Sequence, residues 1–283
     1  MNYRHAYHAG NFADCLKHAA LVSVLLHLRK KETPFAVIDA HAGRGLYDIG
    51  GVEAKKTGEA EAGIGRLLKL QSVPGALEPY REIVRSFGEG GYPGSPLIAA
   101  RLLRQADRLV AIEKHGGENA ALKAALAGEK RASIVLGDYA AELPKLLPPR
   151  ERRGVVLLDP PFEEADEFAV AARALIAAYR RFPGGIFLFW YPAKERAKVD
   201  ASAGELLNAG IKALLKVELD VGRAPAPEST ESIGGGRLSA TGLLVINPPF
   251  GFADEMRIIS SFLAQALAQA AGAYGKIIIY AER

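Results

Sequence analysis

The strongest constraint on the fold of this chain is the alternation of short runs rich in Val, Ile and Leu with longer amphipathic segments. The apolar runs cover residues 35–39, 109–113, 132–136, 154–159, 185–190, 212–221, 242–246 and 276–280. The amphipathic segments cover residues 13–31, 119–128, 165–181, 197–208 and 254–271. Strands that alternate with helices in this way are typical of an α/β fold with a mostly parallel sheet. The sequence therefore predicts a doubly wound, Rossmann-like α/β sheet.

The interval between the first two apolar runs is too long for a single crossover. Asp39 and Glu113 are 74 positions apart, whereas a whole βαβ unit takes about 30 residues. Within that interval, residues 57–59, 63–68 and 77–84 predict short helices. We therefore expect residues 1–51 and 92–283 to form one sheet domain, with residues 52–91 inserted as a small helical subdomain.

Composition excludes several classes of protein. Apolar residues make up 49% of the 283 residues, which excludes a disordered chain. The single cysteine, Cys15, excludes a disulfide framework and a zinc site built on two thiolates, and it suits a reducing cytoplasm. The apolar run at residues 19–28 is shorter than the roughly 20 residues of a membrane-spanning helix. No metal site is predicted, and the net charge of +4 alone does not identify a nucleic-acid partner.

The turn after the first apolar run, residues 39–45, has the pattern Asp-x-x-x-Gly-x-Gly. Its glycines can take positive φ and can let the backbone pass close to a ligand. The pattern is neither the dinucleotide fingerprint nor the P-loop. It matches the turn by which class I methyltransferases hold the amino-acid part of S-adenosylmethionine, so Gly43 is a candidate cofactor-binding residue. The alternative is an ordinary βα turn that happens to contain two glycines.

Acidic residues follow the next two strands, Glu113 after the second and Asp138 after the third. The carboxyl ends of neighbouring strands line one crevice in an open α/β sheet. We therefore predict that Glu113 accepts hydrogen bonds from ribose hydroxyls and that Asp138 accepts one from an adenine amino group. Either residue could instead cap a helix.

The fourth run ends in the tetrapeptide Asp159-Pro160-Pro161-Phe162. Asp-Pro-Pro-aromatic is typical of enzymes that methylate amino groups conjugated to a ring or a carbonyl. Hydrogen bonds from such an amine to the Asp159 carboxylate and the Pro160 carbonyl would free its lone pair, while Phe162 would stack on the base. The sequence thus predicts Asp159 as the catalytic residue. The alternative is a rigid corner made by the two prolines.

A second tetrapeptide, Asn-Pro-Pro-Phe at residues 247–250, has the same shape. It follows the seventh apolar run, which is antiparallel in a methyltransferase sheet, so its end faces away from the cofactor crevice. We interpret this tetrapeptide as structural. The polar, Gly-rich residues 227–236 before that run predict a mobile hairpin loop.

The unusual amino-terminal stretch, residues 3–18, completes a set of motifs with residues 39–43, 92–96, 159–163 and 190–192. Over nearly the whole chain this set closely resembles the bacterial large-subunit ribosomal RNA adenine-N6 methyltransferase J family. The resemblance implies a class I methyltransferase fold with an inserted helical subdomain and S-adenosylmethionine as the cofactor, without a metal. It also implies a cytoplasmic monomer that methylates an adenosine of protein-free 23S ribosomal RNA, family position 2030, and releases S-adenosylhomocysteine.

The same resemblance implies roles for individual residues. Those that would contact the cofactor are His18, His41, Ser95 and Glu113, with Asp138 and Tyr139 at its adenine. Asp159 would accept hydrogen bonds or a proton from the target amine. This chain departs from the family at two positions. It has Tyr139 where the family often has Gly, which would alter the adenine pocket, and Phe162 where the family often has Tyr, which removes one hydroxyl.

Three residues of the amino-terminal stretch are candidates for contact with RNA. The resemblance implies that Tyr3 meets the RNA, and Arg4 and Lys17 would suit a phosphate. An N6 atom inside a duplex is out of reach, so the target base must be unpaired or flipped out. Alternatively, Lys17 and its neighbour simply start an amphipathic helix.

Other activities fit part of this pattern. One alternative is a methyltransferase for DNA adenine or for protein glutamine; DNA enzymes with this tetrapeptide generally carry a target-recognition domain, and only residues 52–91 are inserted here. The other is a catalytically silent RNA-binding module. That alternative predicts a degraded cofactor turn, yet Gly43, Gly45 and Asp159 are all present.

Overall fold

A computed structural model of the chain describes residues 7–222 and 238–281. Tyr3, Arg4 and the predicted hairpin loop at residues 227–236 lie outside the described residues. The strands are β1 (Ala36–Asp39), β2 (Leu46–Asp48), β3 (Gly91–Pro93), β4 (Arg108–Glu113), β5 (Ala132–Leu136), β6 (Gly154–Leu158), β7 (Ile186–Pro192), β8 (Leu214–Asp220), β9 (Ala240–Ile246) and β10 (Tyr274–Ala281). The helices are α1 (Phe12–Arg29), α2 (Val52–Thr57), α3 (Arg66–Lys69), α4 (Glu78–Arg85), α5 (Ser95–Leu102), α6 (Gly116–Ala125), α7 (Tyr139–Leu146), α8 (Glu167–Arg181), α9 (Arg196–Asn208) and α10 (Phe252–Ala266).

The main sheet has the strand order β10-β8-β9-β7-β6-β1-β4-β5. Strands β1, β4, β5, β6 and β7 pair in parallel, whereas β9 is antiparallel to β7 and β8, and β10 is antiparallel to β8. The predicted fold class, a mostly parallel α/β sheet with antiparallel pairing, is confirmed. The chain reverses its direction of winding between β1 and β6, so the turns after β1, β4, β5 and β6 meet at one edge. We call this the carboxyl edge.

Helices cover both faces of the sheet, which is why the central strands are continuously apolar rather than alternating. One apolar cluster lies beneath α1, α5, α6 and α10, and a second lies beneath α7, α8 and α9. Within α1, residues 12–25 are buried on every side. Consequently the charged side chains of Asp14 and Lys17 are buried as well.

Some elements differ from those the sequence predicts. The pair β2–β3 and helices α5 and α7 were not expected, and α10 ends at Ala266 rather than at residue 271. Pro144 lies inside α7 and Pro96 lies in the first turn of α5. Because proline is disfavoured in helix interiors, Pro144 conceals α7 in a reading of the sequence alone. Pro96 is in a position where proline is favoured, so it does not explain why α5 was not expected.

Residues 52–91 contain α2, a kinked turn at Glu61–Gly65, α3 and α4. We call this segment the insertion. Antiparallel strands β2 and β3 bring its two ends together, with Tyr47 opposite Tyr92. Buried side chains of the insertion, among them Ile64 and Tyr80, belong to the same apolar cluster as those of α1. The insertion therefore shares the main core instead of having one of its own.

Within the described ranges, no helix is long and apolar enough to cross a membrane. This part of the chain also holds no group of three or more His, Cys, Asp or Glu side chains arranged to bind a metal ion.

Candidate active site

The glycine-rich turn after β1 is hydrogen-bonded to the residue at the end of β4. The backbone N–H of Gly43 donates to Oε2 of Glu113 at 2.8 Å, and Oε1 of the same carboxylate accepts from the backbone N–H of His115 at 2.7 Å. Gly43 has a φ of 61°, and a Cβ atom there would overlap the hydroxyl of Tyr47. Only glycine fits this turn without strain. The structure thus brings Gly43 and Glu113 together at the carboxyl edge, where both were predicted.

Asp39, at the end of β1, has a buried carboxylate of which one oxygen has no hydrogen-bond partner among the described residues. Its side chain is 1% exposed, and Oδ1 accepts from the backbone N–H of His41 at 3.3 Å. Among the described residues, Oδ2 has no hydrogen-bond partner. Burial raises the pKa of Asp39 to about 6, although the Ser95 hydroxyl acts in the opposite direction. A buried acceptor of this kind fits an ammonium group, such as the α-amino group of S-adenosylmethionine.

Asp138 caps the amino terminus of α7. Its Oδ1 accepts from the backbone N–H of Ala140 at 2.9 Å, and its Oδ2 accepts from the Lys114 ammonium at 2.9 Å. Burial alone would raise the pKa of Asp138, but Lys114 and the capping hydrogen bond outweigh it, so the pKa is lowered from its ordinary value. The helix-cap alternative is therefore realised, and the adenine contact stays a prediction.

His41 joins three turns of the carboxyl edge. Its Nδ1 accepts from the backbone N–H of Asp159 at 3.4 Å, which places the ring proton on Nε2. Its ring lies 4.5 Å from that of Tyr139, whose hydroxyl is buried with no partner among the described residues. Burial lowers the pKa of His41 to about 4, so the imidazole is neutral at neutral pH.

Asp159, directly after β6, is held by a buried lysine. Nζ of Lys17 lies 2.5 Å from Oδ2 of Asp159 and 2.8 Å from Oδ1 of Asp14. Burial alone would lower the pKa of Lys17, but the two carboxylates outweigh it and the pKa is raised, so the ammonium stays charged. The side chain of Lys17 is 4% exposed, that of Asp14 3% and that of Asp159 16%.

This position of Lys17 differs from the phosphate contact that the sequence predicts. A buried ammonium between two carboxylates cannot reach an RNA backbone, and its charge is already neutralised. The prediction rested on the residue type and on its place near the crevice, and it did not foresee that residues 12–25 of α1 are buried all round.

Phe162 lies in an aromatic cluster beside this ion pair. Its ring centroid is 4.5 Å from that of Phe168, 5.9 Å from that of Trp190 and 6.1 Å from that of Phe189. Nζ of Lys17 lies 5.8 Å from the centroid of the Trp190 ring. Phe162 also has a φ of 53°, an uncommon and strained conformation for a bulky residue. Such strain concentrates at functional sites, where the surrounding structure holds it in place.

His18 lies deeper than its neighbours in the predicted site. It is 1% exposed, and its Nδ1 is 2.7 Å from the hydroxyl of Tyr92, which in turn lies 3.1 Å from the hydroxyl of Tyr80. Its contact with a cofactor stays a prediction, as do those of the other cofactor residues.

The second tetrapeptide lies at the opposite edge of the sheet. Nδ2 of Asn247 donates to the carbonyl oxygens of Pro183 at 2.8 Å and Gly185 at 2.7 Å, both of which precede β7. Phe250 is 97% exposed. These contacts support the interpretation that this tetrapeptide is structural.

Two residues of the site, Asp39 and Asp14, were given no role from the sequence. Asp39 begins the glycine-rich motif, so the signal for it lay in the motif itself. Asp14 and Lys17 are three positions apart, a spacing that places an acid and a base on the same face of a helix. That spacing predicts their ion pair, although it does not reveal Asp159 as a third member.

Comparison with known proteins identifies relatives over nearly the full length. A sequence model of the family described as ribosomal RNA large subunit methyltransferase D, RlmJ, matches residues 32–278. Ribosomal RNA large subunit methyltransferase J of Escherichia coli (strain K12) is 35% identical over 274 residues, 95% of each chain. Its namesake in Haemophilus influenzae is 36% identical over 272 residues, 94% of each chain.

Among solved structures, a Legionella pneumophila protein matches with a TM-score of 0.84 and 28% identity, over 97% of this chain and 98% of that one. Together with the sequence relatives, this match confirms the resemblance drawn from the motifs. The chain therefore belongs to the ribosomal RNA large subunit methyltransferase J family.

Proposed function

We propose that this chain transfers a methyl group from S-adenosylmethionine to the exocyclic N6 of an adenosine in 23S ribosomal RNA, the family position 2030. The products are N6-methyladenosine and S-adenosylhomocysteine. The observation that carries the proposal is the placement of Asp159 at the carboxyl edge, held by Lys17 and followed by the strained Phe162. The names of the relatives support ribosomal RNA as the substrate and methyl transfer as the reaction.

The residues around the carboxyl edge fit this cofactor. Oδ2 of Asp39, buried and without a partner among the described residues, would accept from the α-amino group. Gly43 would let the backbone approach, and Glu113 would offer its carboxylate to the ribose. The half-buried His41 and the buried Tyr139 would flank the adenosine part. When bound, S-adenosylmethionine supplies a methyl group on a positively charged sulfur.

The task of Asp159 is to make a poor nucleophile attack. The lone pair of an adenine amino group is delocalised into the ring, and hydrogen bonds from its N–H groups to acceptors favour a more tetrahedral nitrogen. Because Lys17 holds Oδ2 of Asp159, the other oxygen, Oδ1, is left to accept from the amine. Methylation makes the nitrogen cationic, so one of its protons then passes to Asp159 or to water.

Positioning of the target base is the second contribution to catalysis. A base flipped out of the RNA would stack on Phe162, which its aromatic neighbours hold in one orientation. Stacking of this kind contributes about 1–3 kcal/mol per base. We further propose that the enzyme acts as a monomer on protein-free RNA.

The test is transfer of tritiated methyl from S-adenosylmethionine to protein-free 23S RNA, followed by mapping of the modified nucleotide in RNA from cells with and without the gene. We expect N6-methyladenosine at one position, and we expect it to be absent from cells without the gene.

Double-stranded DNA and a glutamine-containing protein serve as competing substrates. Preferential methylation of either would replace RNA as the substrate, and binding of RNA without any transfer would favour the silent module. Light scattering of the purified protein measures its oligomeric state.

A further inference from the structure

The insertion makes hydrogen bonds to the residues just before α1. The hydroxyl of Thr57 donates to the carbonyl oxygen of Tyr7 at 2.6 Å, and the backbone N–H of Ile64 donates to the carbonyl oxygen of Gly10 at 2.8 Å. Between these two contacts, Oε2 of Glu59 lies 3.0 Å from Nδ1 of His8. Three positions of the insertion thus contact residues that are about 50 positions away in sequence.

The two segments also touch through their backbones. A Cβ atom on Gly10 would lie 2.7 Å from Cγ2 of Ile64, and a Cβ atom on Gly63 would overlap the carbonyl oxygen of Gly10. Gly10 has a φ of 78°, which any other residue would adopt only with strain. The contact therefore leaves little room for residues 7–11 to shift while the insertion stays in place.

Glu59 also reaches the first turn of α1 through Asn11. Nδ2 of Asn11 donates to Oε2 of Glu59 at 3.0 Å. Oδ1 of the same amide accepts from the backbone N–H groups of Ala13 at 2.9 Å and Asp14 at 3.0 Å, which makes Asn11 the N-cap of the helix. One side chain thus connects the insertion to the start of α1.

From that first turn, polar contacts continue to the catalytic carboxylate. The backbone N–H of Gly10 donates to Oδ2 of Asp14 at 2.8 Å, and Oδ1 of Asp14 lies 2.8 Å from Nζ of Lys17. Lys17 in turn lies 2.5 Å from Asp159. Asn11, Asp14 and Lys17 in the middle of this chain of contacts are buried. Its two ends are partly exposed, with the Glu59 and Asp159 side chains each 16% exposed.

From these contacts we infer that Glu59 is a positioning residue for Asp159, acting through Asn11, Asp14 and Lys17. The inference rests on the proposed function, in which Asp159 meets the target amine. Without Glu59, Nδ2 of Asn11 loses its acceptor. The amide is still hydrogen-bonded to the start of α1 through Oδ1, but it no longer ties that start to the insertion. A shift at the start of α1 moves Asp14, the second carboxylate that holds the Lys17 ammonium, and thereby changes the Lys17–Asp159 contact.

The first experiment compares Glu59→Ala with Glu61→Ala. Glu61 is a matched control two positions away, because it is 79% exposed and its ion-pair partner Lys69 is 73% exposed. At saturating RNA and S-adenosylmethionine, we expect Glu59→Ala to lower kcat roughly tenfold, an effect of the size that coupled networks carry. We expect Glu61→Ala to leave kcat unchanged, and both variants to bind S-adenosylhomocysteine within about twofold of the wild type.

A donor–acceptor exchange separates positioning from helix capping. Asn11→Asp keeps a good N-cap but places two carboxylates against each other, so we expect a loss similar to that of Glu59→Ala. Combined with Glu59→Gln, it restores an amide–carboxylate hydrogen bond with the roles reversed, and we expect kcat to recover to within about threefold of the wild type. If Asn11 acted only as a cap, Asn11→Asp would have wild-type kcat, and the inference would be wrong.

A readout without catalysis keeps this inference separate from the proposed function. The Lys17 amine is buried and paired, so mass spectrometry after treatment with acetic anhydride should find it protected in the wild type. We expect faster acetylation of Lys17 in Glu59→Ala and not in Glu61→Ala. This result with an inactive wild type would uphold the positioning and refute the proposed function. Unchanged acetylation and unchanged kcat in Glu59→Ala would overturn the inference; if that variant does not fold, the exchange pair decides.

Discussion

Two tetrapeptides with the same Pro-Pro-Phe ending lie at opposite edges of one sheet. The first follows the parallel strand β6 and presents Asp159 to a buried ammonium, whereas the second follows the antiparallel strand β9 and presents Asn247 to two backbone carbonyls. Each contains a residue with a φ of 53°, Phe162 in the first and Asn247 in the second. Asparagine tolerates this conformation, while phenylalanine is strained by it. Strand direction, not the motif itself, decides which tetrapeptide faces the crevice.

Two buried aspartates show the same contrast between the edges. Asp107, just before β4 at the edge opposite the crevice, accepts from the backbone N–H of Phe35 at 3.0 Å and from the Arg104 guanidinium at 2.9 Å. Asp39, at the carboxyl edge, has one oxygen without a partner among the described residues. Asp107 therefore has hydrogen bonds to both of its oxygens, whereas Asp39 keeps one acceptor open among the described residues.

The largest expected effect distinguishes the two tetrapeptides. We expect Asp159→Ala to reduce methyl transfer roughly 1,000-fold, because the amine loses its acceptor, while S-adenosylhomocysteine still binds. We expect Asn247→Ala to change kcat less than about twofold but to cost about 1–3 kcal/mol of unfolding free energy, because two backbone carbonyls, one of them buried, lose their donor. Tritium transfer and urea denaturation measure the two quantities. Equal losses of turnover would contradict the assignment of roles.

The aromatic residues of the two tetrapeptides give a smaller contrast. We expect Phe162→Ala to lower kcat roughly 20-fold, since a stacked base contributes about 1–3 kcal/mol. Phe162→Tyr keeps the ring and should stay within about twofold. Phe250→Ala should have no effect, because that ring is 97% exposed at the far edge. Similar activity in Phe162→Ala and Phe162→Tyr would show that stacking on this ring is unimportant.

The smallest expected effect concerns cofactor affinity and pH. Asp39 must be ionised to accept an ammonium group, and its pKa is about 6. Calorimetry with S-adenosylhomocysteine should therefore show affinity rising about tenfold from pH 5 to pH 7, and Asp39→Asn should remove most of this dependence. His41, with its pKa lowered to about 4, stays neutral over this range. A wild-type affinity that does not change with pH would refute the ammonium contact.

The two aspartates should also affect stability in opposite directions. Burial raises the pKa of Asp39 to about 6, so protonation of this carboxyl favours the folded state at low pH. That contribution to the free energy of unfolding is lost as the pH rises through about 6. Burial alone would raise the pKa of Asp107, but its hydrogen bonds outweigh it and the pKa is lowered, so its contribution is lost as the pH falls through that lowered value. At pH 7, Asp39→Asn should be at least as stable as the wild type. Asp107→Asn should be less stable by about 1–3 kcal/mol in urea denaturation.

The sequence was sufficient to predict the sheet and the ends of its strands. Periodicity located the main strands, and the turn at Gly43 and the carboxylates of Glu113 and Asp159 were correctly expected at one edge. Local patterns were sufficient because each of these residues directly follows a strand.

The partners of those residues could not be predicted in the same way. Lys17 meets Asp159 across 142 positions, and the contact depends on how α1 packs into the core. The bond between Glu59 and Asn11 likewise joins segments that only the folded insertion brings together. Sequence spacing carries no information about such pairs. It also does not show that α1 is buried on every side along residues 12–25, which places Lys17 in the core.

The shared core of the insertion and α1 limits how this scaffold could be shortened. Joining β2 directly to β3 would remove the whole insertion, and the two strands are already neighbours. Such a truncation would strip the covering from the apolar side chains of α1 that now pack against Ile64 and Tyr80. An engineer who wished to graft this segment elsewhere, or to replace it, would have to redesign the first helix along with it.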